Sequence, residues 1–212
     1  MSKHRVYLEL GPKKVFACSV DWPGWCRIDK TEEAALDHLI DYAPRYQVIA
    51  ERAGIAFDPA DLGDVVVVER VKGTLTTDFG APDAKPDVDE EPMDDAERDR
   101  TVALMRAAWD LFDECVAVSP EELRKGPRGG GRDRDKMAAH VEEAERAYIR
   151  KVGVRFPPLH GDRDKRDAMR DATVAAFLDP PPETPWPVRY LARRLIWHVV
   201  DHLWEMEDRR DQ

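Results

Sequence analysis

His198 and His202 stand four residues apart in a run whose apolar residues, Leu191, Leu195, Val199 and Met206, repeat at helical spacing. Residues at i and i+4 lie on one helix face about one turn apart, so both imidazoles can reach a single ion. His140 continues a second stripe, with Met137, Val141, Ala144, Tyr148 and Val152. Three inward imidazoles from two helices make a facial three-nitrogen site, with positions left open for water or a substrate thiol. The alternative is three separate core histidines, and burying three imidazoles without partners costs free energy each time. Glu205, three residues beyond His202, is placed to orient a ligand or to act as an acid or base; a solvated surface carboxylate is the other reading. Arg132 and Arg134, at the start of the helix bearing His140, could hold an anionic substrate group, or belong to a solvated glycine-rich loop, Gly126–Arg132.

Four helices must position these groups. Their stripes run from Ala96 to before Ser119, from about Asp133 or Arg134 to Gly153, from Lys165 to Leu178 and from about Val188 to Asp208. Breaker-rich loops join them, including Pro180-Pro181-Pro182, and the expected architecture is an all-α four-helix up-down bundle over 96–212. Cys115 falls on an inward stripe and reads as core. Residues 1–72 follow a different period. Alternation at Arg5–Leu10 predicts a strand, Lys14–Val20, Trp25–Ile28 and Val65–Val71 read as three more, and Ala35, Leu36, Leu39, Ile40 and Ala43 predict a helix capped by Asp29 or Thr31. Pro44 should kink or split that helix. The order β-β-β-α-β is an α+β sheet domain with a helix on one face. Trp22 and Trp25, flanking the turn Asp21-Trp22-Pro23-Gly24, either close the end of this core or form a recognition surface. His4 and His160 read as loop histidines and His38 as solvated.

The net charge of −10 divides into −2 for residues 1–72, −7 for 73–95 and −1 for 96–212. The middle stretch, acidic and carrying Pro82, Pro86 and Pro92, is expected to be a solvated linker. No dense basic face suggests a nucleic-acid binder. Apolar runs fall far short of the ~20 residues of a membrane span, and Met1–Lys14 lacks the apolar core of a secretory signal. Three scattered cysteines make no disulfide framework, so the expected compartment is a reducing cytoplasm. Trp109, Trp186 and Trp204 could form an apolar patch for a homodimer.

Residues 95–212 resemble the DinB/YfiT-like four-helix metalloproteins. The likeness lies in the helix order, in Lys136-Met137-Ala138-Ala139-His140-Val141-Glu142-Glu143 and in Arg194-Leu195-Ile196-Trp197-His198-Val199-Val200-Asp201-His202. The resemblance implies a metal triad of His140, His198 and His202 holding a divalent ion, zinc or nickel. It further implies a transferase or isomerase that uses a low-molecular-weight thiol on a small electrophilic substrate. The alanine-, arginine- and proline-rich composition fits a GC-rich bacterial source and hence mycothiol as that thiol. Leu203-Trp204-Glu205-Met206-Glu207 follows the last ligand where many members carry further His and Gly, so the outer shell differs. Residues 1–72 resemble the HicB-like fold through Asp21-Trp22-Pro23-Gly24 and Thr31-Glu32-Glu33-Ala34. That likeness implies the alternative function, a non-enzymatic interaction or sensor protein whose first domain binds a protein partner while the bundle is structural.

Overall fold

The computed structural model describes residues 3–126 and 130–210; the middle of the glycine-rich loop, residues 127–129, lies outside them. Strands β1 (Lys3–Leu10), β2 (Val15–Ser19), β3 (Cys26–Asp29) and β4 (Asp64–Lys72) form a mixed sheet in the order β3-β2-β1-β4. The first three are an antiparallel meander, and β4 returns parallel to β1. Helices α1 (Glu32–Asp41) and α2 (Ala43–Arg52) make the crossover that a parallel pair requires. Thr31 caps α1 by accepting from the Ala34 amide at 3.2 Å, and Pro44 sits in the first turn of α2, where its missing amide is harmless. The chain is therefore split at Tyr42, as Pro44 demands.

A small sheet followed by a mostly helical part is the α+β arrangement expected. The helical part consists chiefly of α4 (Asp95–Val118), α5 (Arg134–Ile149), α6 (Arg163–Leu178) and α7 (Val188–Arg210), which pack on one another. Alternation in β1 and β2 suggested one covered sheet face, but both are covered. Val6, Leu8, Val15 and Ala17 face α1 and α2 and join an apolar cluster that continues through Leu104, Met105 and Leu195. Tyr7, Phe16, Cys18 and Cys26 face the other way and pack with Trp197 of α7. Nearly every residue of α7 from Tyr190 to Met206 is consequently buried. Gly24 permits this closeness: its φ is +90°, and a Cβ there would lie 2.4 Å from the Ile196 side chain.

The acidic stretch 73–95 is not a solvated linker. It contains a short helix, α3 (Leu75–Phe79), and a 3-10 turn, Asp87–Glu90, and it straps the sheet to α7. Its hydrogen-bonding groups find specific partners instead of water. Glu9, buried on β1, accepts from the Thr77 hydroxyl at 2.5 Å and from the Asp83 and Ala84 amides at 2.9 and 3.0 Å. Tyr190 donates to the Asp83 carbonyl at 3.0 Å, and Arg194 to the Pro82 carbonyl. Arg193 meets Asp89 at 2.6 Å and the Ser19 carbonyl at 2.6 Å, with both charged side chains almost wholly buried. Composition alone hid this, because the compensating cations lie more than a hundred residues away.

A buried charge left without its partner is costly. Asp89→Asn should lower stability by about 3–5 kcal/mol, read as a lower urea midpoint at unchanged slope. Replacing both residues, Asp89→Leu with Arg193→Met, should recover much of that loss. A double variant as unstable as the single one would contradict the pairing described.

Candidate metal centre

The helix α5 buries Met137, Val141, Glu145 and Ile149, which leaves His140 on the edge of its buried stripe, turned toward α7. On α7, His198 and His202 are both buried. Their ring centroids are 4.6 Å apart, and each lies 5.0 Å from that of His140. One nitrogen from each residue belongs to a group lying mutually within 4.8 Å, so this buried triad could hold a metal ion. The Nε2 atoms of His140 and His198 are 3.2 Å apart. Two ligands about 2.1 Å from one ion are separated by about 3.0 Å at a right angle and about 3.4 Å at a tetrahedral angle. The observed spacing falls between these.

The protonation states suit a cation. Burial, then His202 and Arg132, push His140 down to about 4. Burial, then His202, His140 and two arginines, push His198 down to about 2. Both are therefore neutral at physiological pH. The Nδ1 of His198 is buried without a partner. Two uncharged imidazoles whose Nε2 atoms face each other, with a nitrogen of His202 beside them, are a donor set that suits a divalent ion.

His202 is held from behind. Its Nδ1 lies 2.9 Å from Glu205 Oε2, and the other Glu205 oxygen accepts from Arg209 at 2.7 Å. A carboxylate on Nδ1 favours the tautomer with its proton there and leaves Nε2 for a metal. The hydrogen bond from His202, opposed by burial and assisted by Arg209, holds the Glu205 carboxyl below the usual range. Arg209 also donates to the Arg124 carbonyl at 2.7 Å. Gly131, at φ +111°, lets the backbone lie against that guanidinium, where a Cβ would come within 2.7 Å of Cζ. Arg132 is exposed, and its charge reaches both His140 and His198. Arg134, by contrast, is occupied: it bonds Asp135 at 2.7 Å and the Ser119 carbonyl at 3.0 Å.

In comparisons with known proteins, no family model, no curated protein and no solved structure matches this chain.

The remaining candidates separate from the triad. Glu142, the carboxylate two residues beyond His140, turns toward α6, 3.9 Å from Arg166. Cys115 is core, its thiol pushed up by burial. His160 is exposed in a turn at φ +53°. His38 is half-buried, with Nδ1 3.2 Å from the Ile28 carbonyl, so it is not simply solvated. His4 is no loop residue: it lies in β1, 3% exposed, tilted over Trp25 at 4.9 Å. Trp25 closes the core, stacked on Tyr46 at 5.5 Å.

Glu145 was not foreseen, because its neighbours in the sequence are charged too. It is 1% exposed, accepts from the Trp109 indole and faces Arg170 at 3.7 Å. Burial pushes its carboxyl up, against the pull of Arg170. The folded state thus holds this proton to higher pH than the unfolded chain does. Its contribution to stability is greatest at low pH and declines as pH rises past the ordinary Glu value of 4.5. Glu145→Gln should flatten the fall of the urea midpoint with pH above that value. An unchanged slope would mean that Glu145 ionises alike in both states.

Proposed function

We propose that this chain binds one divalent ion, zinc or nickel, through His140, His198 and His202, and acts on a small electrophile with the help of a low-molecular-weight thiol of the mycothiol type. The observation that carries the reading is the convergence of three imidazoles, drawn from two helices, within reach of one ion, with a carboxylate behind the third. The resemblance to DinB/YfiT-like proteins supports the reaction class, a thiol transfer or thiol-assisted isomerisation, and the up-down arrangement of the four helices. A divalent ion, when bound, supplies the Lewis acidity that lowers the pKa of a thiol or water presented to it.

The chain's own residues supply the rest. Glu205 fixes the His202 ring and its tautomer, and Arg209 fixes Glu205. Arg132, exposed and close enough to bias both neighbouring histidines, offers a cation to an anionic group on the thiol or the substrate. The Tyr148 ring, 5.7 Å from His198, and Trp186, 5.6 Å from Tyr148, give an apolar flank on the same side of α5.

His202→Ala should abolish metal uptake and any thiol-transfer activity together. Glu205→Gln should weaken metal binding roughly 10- to 100-fold, and the metal-free protein should still fold, somewhat less stable for the loss of the Arg209 ion pair. Competition with a chromogenic chelator measures both. Full metal content in His202→Ala would overturn the ligand assignment. Unaltered affinity in Glu205→Gln would remove Glu205 from the site.

A further inference from the structure

Cys18 and Cys26 look scattered along the chain, but the sheet sets them side by side. The register of the β2–β3 hairpin places Cys18 directly opposite Cys26. Both side chains leave the same face of the sheet, in the apolar cluster with Tyr7, Phe16 and Trp197. The backbone fixes which kind of opposed pair they form. One step along the register, the Ser19 amide donates to the Trp25 carbonyl at 2.9 Å, so Ser19 and Trp25 are a hydrogen-bonded pair. Opposed residues in an antiparallel ladder alternate, which makes Cys18 and Cys26 a non-hydrogen-bonded pair. Strand β1 gives the same answer. The Val20 amide donates to the Arg5 carbonyl at 2.9 Å, so two residues back the amide and carbonyl of Cys18 turn toward Tyr7 and away from β3.

In such a pair the side chains stand closest, with Cα atoms about 4.5 Å apart. That separation lies within the range of about 4.4–6.8 Å that a disulfide spans. Both thiols are free and almost wholly buried. Burial first, and then the Cys26 thiol beside it, push the Cys18 thiol well up. Among the described residues no third His, Cys, Asp or Glu joins them to make a metal site. Cys115 is no rival partner, since it lies on α4 against Ser119, in the other apolar cluster. The pair is sealed while the sheet is closed. Strand β3, however, has four residues and sits at the sheet edge, laddered to β2 alone. Short edge elements open locally at far lower cost than the whole fold.

We propose that Cys18 and Cys26 are a reversible dithiol–disulfide pair that staples β3 to β2, oxidised by a low-molecular-weight disulfide when β3 opens. The Cys26 thiolate attacks one sulfur of that reagent, forming a mixed disulfide and releasing one small thiol. Cys18 then attacks the Cys26 sulfur, forming the protein S–S bond and releasing the second small thiol. Two protein thiols are oxidised, one small disulfide is reduced, and the two thiol protons end on the released thiols. The histidine triad takes no part.

The test is equilibration of the full chain in glutathione buffers of stepped thiol-to-disulfide ratio. It is run folded and in urea, from reduced and from oxidised protein, with the folded samples refolded in the buffer so that both thiols are reached. Acid quenching, alkylation and peptide mass mapping read the bond. One intramolecular disulfide joining the Cys18 and Cys26 peptides is expected, with Cys115 alkylated. Its equilibrium constant should be at least about tenfold greater in the folded chain than in urea, a shift of about 30 mV. The oxidised protein should correspondingly show the higher urea midpoint. Cys115→Ser should form the bond as wild type does, and Cys26→Ala should form no intramolecular bond. A folded chain that keeps both thiols alkylatable at a ratio that oxidises the unfolded chain would overturn the proposal. So would a bond that includes Cys115, or an oxidised protein with the lower urea midpoint.

Discussion

Everything in this molecule depends on α7 being buried on both sides. One side carries Trp197 into the far face of the sheet, and another carries His198 and His202 toward α5. A helix enclosed in this way has little freedom to rotate or slide, because interiors are close-packed and respond poorly to small shifts. Polar ties fix its register as well. Arg193 reaches Asp89 and Ser19 below the histidines. Arg27 of β3 reaches Asp201 between them at 3.2 Å, and Arg45 of α2 reaches Glu207 and Asp208 beyond them at 2.7 and 2.9 Å. The sheet domain thus acts as a jig for the helix that bears two of the three candidate ligands. A metal site tolerates errors of only a few tenths of an ångström, so such support has an evident chemical use.

The same burial explains the charge states. Imidazoles taken out of water lose their protons, and His140 and His198 do so here. What is unfavourable for a protonated histidine is favourable for a metal ligand, which must present a lone pair. The carboxylate of Glu205 then does for His202 what water would do in solution, holding the proton on the nitrogen that faces away from the site.

Much of this was legible in the sequence where the signal is local. The spacing of His198 and His202, the stripe holding His140 and the break at Pro44 each follow from a few neighbouring residues, as do the places of the four strands along the chain. Long-range pairing was not legible. Residues 73–95 look like solvated chain because their acids are near no bases in sequence; Asp89 finds Arg193, and Glu9 finds two backbone amides and Thr77, only in space. Glu145 hid among surface-like neighbours for the same reason. His4 reads as a loop residue in sequence because a strand's first residues carry little periodic signal, although it lies in β1. Arg134 and Arg132, equivalent as sequence, were separated only by the partners that Arg134 finds in Ser119 and Asp135.

X-ray absorption at the metal edge, on protein purified without a histidine tag, is the most direct test of the central claim. The account predicts about one zinc or nickel per chain, with three imidazole nitrogens at about 2.0–2.1 Å and one imidazole fewer in His140→Ala. A metal with sulfur or purely oxygen ligands, or protein that takes up no metal when refilled, would contradict it and leave three histidines as part of the core.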